Sequence, residues 1–293
     1  MIQLITQQLD GQPAAEASIR ALCASVRLPR STFYRQRDQE AHLVAPEEIE
    51  LRDAIHRIAL EWPSYGYRRI TAELHRRGFE CNHKHTLRLM REDNLLCLRA
   101  PHSFIKTTDS RHGFAVYPNL AAEMVLTGIN QLWVADITYI RLLHQFIYLA
   151  VILDAYSRRG IGWELSERID AELTISALEK AIRARRPQPG LVHHSDRGAQ
   201  YACHDYTQML LDHEIRISMS RKGNPYDNAQ CERFIKTLKY EEVYLNEYET
   251  QSEARASISK FIEKVYNQKR LHSALGYLPP AEFEQDLAPK KVS

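Results

Sequence analysis

Three acidic residues stand where a carboxylate needs a partner. Asp136 interrupts the apolar run "LWVADITYI", Asp196 ends the apolar stretch "GLVHHSD", and Glu232 lies near the start of the predicted helix "DNAQCERFIKTLKYEE". An unpaired charge in apolar surroundings is costly. Taken singly, each acid is most simply satisfied by an arginine or a backbone amide. Held together, three carboxylates repel one another and take up protons.

A divalent cation removes that repulsion. Ligation by oxygen atoms alone, with few protein ligands, suits Mg²⁺ or Mn²⁺, which keep several waters and bind substrate phosphate. If the three acids meet, the sequence therefore predicts a metal-dependent site for chemistry on phosphates. Whether they meet depends on the elements that carry them.

The elements from residue 131 onward predict an α/β fold. Three strands in close succession, "QLWVADITYI", "QFIYLAVILDAY" and "RGIGWELSE", predict an antiparallel meander. A helix from Asp170 to Pro187, the strand "GLVHHSD", the helix "HDYTQMLLDHEI", the short strand "RISMS" and helices over about 228–244 and 251–267 follow. This order predicts a mixed five-stranded sheet with flanking helices. Its first and fourth strands are neighbours at the centre and the Glu232 helix lies across their ends, so we expect the acids to converge.

The first hundred residues predict helical pairs. Residues 15–38 predict two short helices in the order of a helix-turn-helix, with Arg35 on the second; an ordinary helical hairpin is an equal alternative. Residues 46–61 predict one amphipathic helix. Its expected buried side consists of Ile49, Leu51, Ile55 and Ile58.

A second pair follows, with a turn at Gly78 and a second helix capped by Asn82. Lys84, Arg88 and Arg91 recur on one face of that helix, as contact with DNA phosphates or bases requires. A merely solvated basic face is the alternative interpretation.

The composition is that of a globular protein without a membrane span. The chain has 293 residues, a formal net charge of +2 and 44% hydrophobic residues. The longest apolar run, Phe146–Leu153, is too short to cross a bilayer. Five scattered cysteines without a CxxC motif fit a reducing compartment. We therefore expect a cytoplasmic, nucleoid-associated protein.

Five ordered motifs carry a family resemblance. They are "WVADITYI", "YLAVILDAYSRRGIGW", "HHSDRGAQY", "SMSRKGNPYDNAQCERFIKTLKYEEVY" and "YNQKRLHSALGYLPPAEF", over residues 133–283. With 35 residues between Asp196 and Glu232, they resemble the DDE transposases and retroviral integrases, whose fold is ribonuclease-H-like. The match is to the second-reading-frame product of insertion-sequence-three transposases, and residues 46–98 resemble that family's second helix-turn-helix segment.

The resemblance implies that Asp136, Asp196 and Glu232 are the catalytic, metal-binding triad of a DNA transposase. It implies cleavage of transposon ends and strand transfer without a covalent enzyme–DNA intermediate. We expect two Mg²⁺ ions (Mn²⁺ is the alternative) roughly 3.5–4 Å apart. Asp136 would bridge the ions, Asp196 would complete one site and Glu232 the other.

Further residues are candidates for DNA contact. Lys236 and Lys239 share a helix face with Glu232, and the integrase resemblance implies that they hold the terminal DNA. Arg197 could contact phosphate or neutralise an acid, and Asn228 could cap the helix or touch DNA. The cluster after the last long helix could pack that helix on the core or bind DNA, and the sequence does not separate these roles; its members are Lys269, Arg270 and His272.

The predicted domains are two helix-turn-helix-like segments, a linker, the integrase core with its C-terminal helix, and a tail; they span 1–43, 44–99, 100–125, 126–285 and 286–293. Expected partners are double-stranded DNA (transposon ends and target), further copies of this chain on DNA, and the first-reading-frame protein or its frameshift fusion. Because no leucine heptads precede residue 120, we expect the second-frame product alone. The alternatives are an inert DNA-binding regulator of the element and a ribonuclease H acting on hybrids.

Overall fold

The computed structural model describes residues 23–24, 29–32, 34, 46–97, 113–221 and 225–287. The first predicted helix-turn-helix falls mostly outside these residues, and Arg35 falls wholly outside them. The described chain divides into two units. The smaller comprises the residues up to Pro63 together with Leu74–Leu95, and the larger comprises Ser64–Glu73 and the residues from Leu96 onward. The predicted domain boundaries stay a prediction.

The smaller unit is helical. It contains α1 (Pro46–Glu61), the end of α2 (Tyr67–Arg76) and α3 (His83–Glu92). Leu51, Ile55 and Ile58 are buried as predicted, but Ile49 is 57% exposed and that expectation was wrong. Ile49 lies off the stripe that the other three form at helical spacing.

Its turn and cap follow the sequence prediction. Gly78 has φ +86°, a conformation that favours glycine. The side-chain oxygen of Asn82 accepts hydrogen bonds from the backbone N–H groups of Lys84 (3.0 Å) and His85 (2.9 Å). The second helix of the pair therefore begins where its cap predicts.

The larger unit is built on a five-stranded sheet. Its strands are β1 (Leu132–Arg141), β2 (Phe146–Asp154), β3 (Gly160–Ser166), β4 (Val192–Ser195) and β5 (Arg216–Met219). Their order is β3-β2-β1-β4-β5. β1 to β3 pair antiparallel, whereas β4 pairs parallel with β1 and with β5. The predicted mixed sheet, with its first and fourth strands adjacent at the centre, is confirmed.

Helices flank this sheet. They are α4 (Ala171–Arg185), α5 (Ala199–Ala202), α6 (His204–Asp212), α7 (Ala229–Glu241), α8 (Gln251–Lys260) with a π-helical continuation (Phe261–Tyr266), and α9 (Pro280–Leu287). The short α5 and the terminal α9 were not predicted. No helix in the described part of the chain is long and apolar enough to cross a membrane.

The core has two layers, one on each face of the sheet. Trp133, Ala135 and Ile137 pack with residues of α4 and α6. Leu132 and Val134 pack with residues of α7, α8 and the π-helical turn. Because successive strand residues point to opposite faces, the side chain of Asp136 shares the face of Leu132 and Val134, which is the face that α7 covers.

Candidate active site

Asp136 and Asp196 lie level with each other on neighbouring strands. Trp133 pairs with His193 and Val134 with His194 across β1 and β4. Continued by two residues, this register sets Asp136 beside Asp196, which directly follows β4. Neighbouring strands lie about 4.8 Å apart. Sheet pairing alone therefore brings together two acids that are far apart in the sequence.

The Asp136 carboxyl feels both of the other acids. Burial raises its pKa, and the negative charges of Asp196 and Glu232 raise it further, to about 8. The N–H of Ile137, which donates to Asp136 Oδ1 at 2.8 Å, and the positive charge of Lys239 act in the opposite direction. The site thus holds mutually repelling carboxylates, which is the state that cation binding relieves.

Asp196 and Glu232 occupy chain positions next to element ends. The N–H of Gly198 donates to Asp196 Oδ1 at 2.9 Å, which orients that carboxylate in the turn after β4. Glu232 lies in the first turn of α7. Partial burial of the Glu232 carboxyl raises its pKa.

The donor set fits a hard divalent cation, because it consists of carboxylate oxygens alone. Over residues 46–97, 113–221 and 225–287, however, no group of three or more His, Cys, Asp or Glu side chains could hold a metal ion as it stands. The three acids are close enough for their charges to interact but are not gathered around one point. That spacing agrees with carboxylates that repel one another.

Lys236 and Lys239 lie beside this site. Lys239 Nζ stands 3.9 Å from the ring centroid of Tyr139, and Lys236 Nζ stands 5.9 Å from that of Tyr240. Burial lowers the pKa of Lys239, and the charge of Asp136 raises it again. Tyr139 was missed by the sequence reasoning. Its contact joins β1 to α7 across about a hundred residues, and only the pairing of those elements reveals it.

Asn228 has a different role from either expected one. It takes the N-cap position of α7 but makes no side-chain capping bond. Its amide is buried and donates to the carbonyl of Ala135 at 2.9 Å. The capping and DNA-contact interpretations are both corrected: Asn228 ties the start of the Glu232 helix to the strand next to Asp136.

Arg197 also makes a tertiary bond. Its Nε donates to the carbonyl of Ser220 at 2.7 Å, which links the end of β4 to the end of β5. A phosphate contact for Arg197 stays a prediction.

The late cluster separates into different roles. Arg270 is buried, and its guanidinium donates to both carboxylate oxygens of Glu241 at the end of α7, at 2.8 and 2.7 Å. The ring of His272 packs edge-on against Tyr266, with 4.8 Å between centroids. Lys269 is exposed. The packing role thus holds for Arg270, and Glu241 is its partner that the sequence reasoning missed.

The basic face of α3 is exposed at Lys84, Arg88 and Arg91. Arg88 forms ion pairs with Glu92 (2.8 Å) and Glu48 (3.1 Å). A DNA phosphate would have to compete with these two carboxylates for Arg88. The three DNA contacts stay predictions.

Comparison with known proteins identifies the family. A family model described as integrase core domain matches residues 127–225, a second one of that description matches 213–280, and one described as HTH-like domain matches 46–102. The chain is 37% identical over 267 residues to the insertion element IS600 uncharacterized 31 kDa protein of Shigella sonnei, covering 90% of this chain and 97% of that protein. It is 35% identical over 274 residues to transposase InsF for insertion sequence IS3A of Escherichia coli strain K12, covering 92% and 95%.

A similar solved structure is the HTLV-2 integrase catalytic core domain in complex with magnesium, in its trimeric form. It is 19% identical, with a TM-score of 0.42, over 53% of this chain and 96% of that one. The mixed five-stranded sheet with flanking helices is the expected ribonuclease-H-like fold. With over a third of its residues identical to those of InsF along nearly its whole length, the chain belongs to the insertion-sequence-three family of DDE transposases.

Proposed function

We propose that Asp136, Asp196 and Glu232 hold the divalent metal ions with which this transposase cuts transposon ends and joins them to target DNA. The observation that carries the proposal is the level placement of Asp136 and Asp196 on β1 and β4. Glu232, on the helix that covers the same face, adds the third carboxylate, whose charge reaches Asp136.

Asp136 is the central ligand of the proposed site. Its pKa responds to both other acids, which supports Asp136 as the bridging carboxylate, with Asp196 completing one metal position and Glu232 the other. Bound Mg²⁺ or Mn²⁺, two ions per site, would activate the attacking oxygen and stabilise the leaving one in an in-line displacement at phosphorus.

The other residues position the ligands and the DNA. Asn228 fixes the start of α7 against β1, which holds Glu232 near Asp136. Gly198 orients Asp196 through its N–H. Lys236 and Lys239 would hold the terminal phosphates beside the carboxylates, where their charges favour a polyanion.

The proposed partners are transposon ends and target DNA, further copies of this chain on that DNA, and the first-reading-frame protein or its frameshift fusion. The family membership supports DNA as substrate, and the HTH-like match over residues 46–102 supports a DNA-binding role for the helical region.

A strand-transfer assay tests the carboxylates. Labelled element-end DNA is incubated with Mg²⁺ and either the wild type or Glu232→Gln, which removes the charge and keeps the size. We expect the variant to bind DNA but neither nick nor join it. Glu247→Gln is the matched control, because Glu247 is exposed and lies outside the site. Mg²⁺-dependent thermal stabilisation gives a second readout, which Glu232→Gln should reduce.

Equal activity of Glu232→Gln and the wild type would exclude Glu232 as a ligand. If both proteins bind DNA and neither acts, the assay is repeated with the frameshift fusion. Loss of activity only in the Glu232→Gln fusion then supports the site, and equal activity refutes it. An inert regulator would bind the ends without any Mg²⁺-dependent nicking in either form.

A further inference from the structure

A second polar cluster lies in the larger unit, around the motif "KRLH". The backbone N–H of Leu271 donates to the Tyr65 hydroxyl at 2.8 Å. Arg69, one turn further along the chain, holds its guanidinium 5.5 Å from the Tyr65 ring centroid. Burial raises the pKa of Tyr65 to about 12, so this hydroxyl stays neutral. These contacts bring Arg69 to the segment that carries Arg270 and His272.

The cluster has more positive than negative charge. Glu241 is already bound through both of its oxygens to Arg270. Among the described residues, neither Arg69 nor Arg158 has a carboxylate at ion-pair distance. Burial lowers the pKa of Arg69, and the charge of Arg270 lowers it further. The pKa of Arg158 is lowered by burial and also by Arg233.

Two nitrogen atoms in this cluster are buried without a hydrogen-bond partner in the described structure: Arg69 Nε and His272 Nε2. Buried polar groups are normally paired, and each exception calls for an explanation. His272 also stands in the field of three guanidinium groups. Its pKa is lowered to about 3 by burial and by Arg270, Arg69 and Arg158. Orphaned nitrogens in a positive field are what an anion with several acceptor oxygens satisfies.

Arg158 has an unusual backbone for this role. Its φ is +64°, in the left-handed region, which costs energy for a residue with a Cβ and recurs at functional positions. The turn is held by its N–H, which donates to the carbonyl of Asp154 at 2.9 Å. This turn joins β2 to β3 and sets the Arg158 side chain toward Arg233 and Tyr266, whose charges it feels.

We propose that Arg69, Arg158 and His272 bind a backbone phosphate of DNA at a site separate from the carboxylates. Planar guanidinium groups match phosphate oxygens in pairs. Arg233 adjoins Glu232 in the sequence, so the positive cluster extends toward the catalytic helix and favours the DNA that lies there over a free anion. The inference rests on DNA being the substrate, but not on which carboxylates perform the chemistry.

The test is the salt dependence of DNA binding, measured by fluorescence anisotropy with the full chain in EDTA. Each lost phosphate contact on duplex DNA lowers the slope of log K against log salt by about 0.9. We expect Arg158→Gln to lose about that much on both element-end and unrelated duplexes, because phosphate contacts carry no sequence information. Arg158→Lys should recover most of the slope.

Arg186→Gln is the matched control. Arg186 is also an arginine with positive φ (+43°), and it is exposed at the end of α4. We expect its slope to equal that of the wild type. A slope for Arg158→Gln that equals the Arg186→Gln slope would overturn the proposal. All variants are also made with Glu232→Gln, so binding is scored apart from catalysis and failure of the carboxylate site leaves this result unaffected.

Inorganic phosphate separates the two sources of the anion. In thermal melts at constant ionic strength, phosphate should raise the melting temperature of the wild type and of Arg186→Gln, but raise that of Arg158→Gln less. If phosphate stabilises the wild type selectively while the DNA slopes of all variants coincide, the site binds only a small anion and the assignment to DNA is refuted.

Discussion

Arg270 and Glu241 form a buried ion pair with two hydrogen bonds, of 2.8 and 2.7 Å. Burial by itself would lower the pKa of Arg270, but the bonds to Glu241 outweigh it, so that this pKa is raised. The pair fixes the end of α7 to the segment after the π-helical turn. Asn228 fixes the start of the same helix to β1. The helix that carries Glu232, Lys236 and Lys239 is therefore held at both ends by polar bonds.

Arg270→Ala should destabilise the fold by about 3–5 kcal/mol, because it leaves the Glu241 carboxylate buried without its partner. The measurement is urea unfolding followed by circular dichroism. Lys269→Ala, at the exposed neighbour, should change the free energy of unfolding by less than about 0.5 kcal/mol. If the two variants unfold alike, the pair does not hold the helix.

The stability of the metal-free protein should fall as pH rises toward 8. The folded-state pKa of Asp136 is about 8, above its model value of 3.8. The folded protein therefore keeps a proton that the unfolded chain has already released between these values, and the stability that this proton contributes is lost as pH approaches 8. Asp136→Asn carries no such proton, so the wild type should lose more stability than this variant between pH 5 and 8.

Melts in EDTA at pH 5, 6.5 and 8.5 measure this difference, with Asp286→Asn as the control because Asp286 is exposed on α9. Mg²⁺ at pH 8.5 should restore the stability of the wild type but not of Asp136→Asn. Parallel pH profiles for the wild type and Asp136→Asn would show that the carboxyl is not held in the protonated form.

The acids could be predicted to converge because strand order follows from local patterns. Alternation and turn signals identify β1 to β5, and the helix between β3 and β4 returns the chain beside β1. The role of Asn228 could not be predicted, because an asparagine before a helix usually caps it. Here the Ala135 carbonyl, far away in the sequence, takes the amide.

Other features depend on contacts that have no local signal. Arg270 and Glu241 meet only once the last helices have packed, and Lys239 meets Tyr139 only where α7 crosses β1. The short α9 begins at Pro280, a good first residue for a helix. Eight residues without a long apolar stripe give it little periodic signal, so its position is decided by tertiary bonds.

Tyr139→Leu should reduce the catalytic efficiency of strand transfer about 2- to 5-fold, because a partly exposed cation–π contact contributes about 0.5–1 kcal/mol. The ring lies 3.9 Å from Lys239 Nζ and positions that ammonium beside Asp136. Tyr139→Phe keeps the ring and should retain activity. Steady-state rates at varied DNA concentration, with Tyr148→Leu on the paired strand as control, make the comparison. Equal losses for Phe and Leu at position 139 would point to the hydroxyl instead.

Glu284→Ala should release α9 from the sheet and destabilise the larger unit. The buried carboxylate accepts hydrogen bonds from the Ser157 hydroxyl (2.6 Å) and from Arg159 (2.6 Å), and it pairs with Arg185 through both oxygens. Burial would raise the pKa of Glu284, but these partners outweigh it and lower that pKa.

Removing Glu284 leaves Arg185, of whose side chain only 12% is exposed, without this partner, and the expected loss is about 3–5 kcal/mol in urea unfolding. Asp286→Ala on the same helix removes an exposed carboxylate and should cost less than about 0.5 kcal/mol. Because Glu284 lies outside the carboxylate site, Glu284→Ala should still show Mg²⁺-dependent stabilisation at low temperature. A folded variant that has lost this response would mean that α9 also supports the metal ligands.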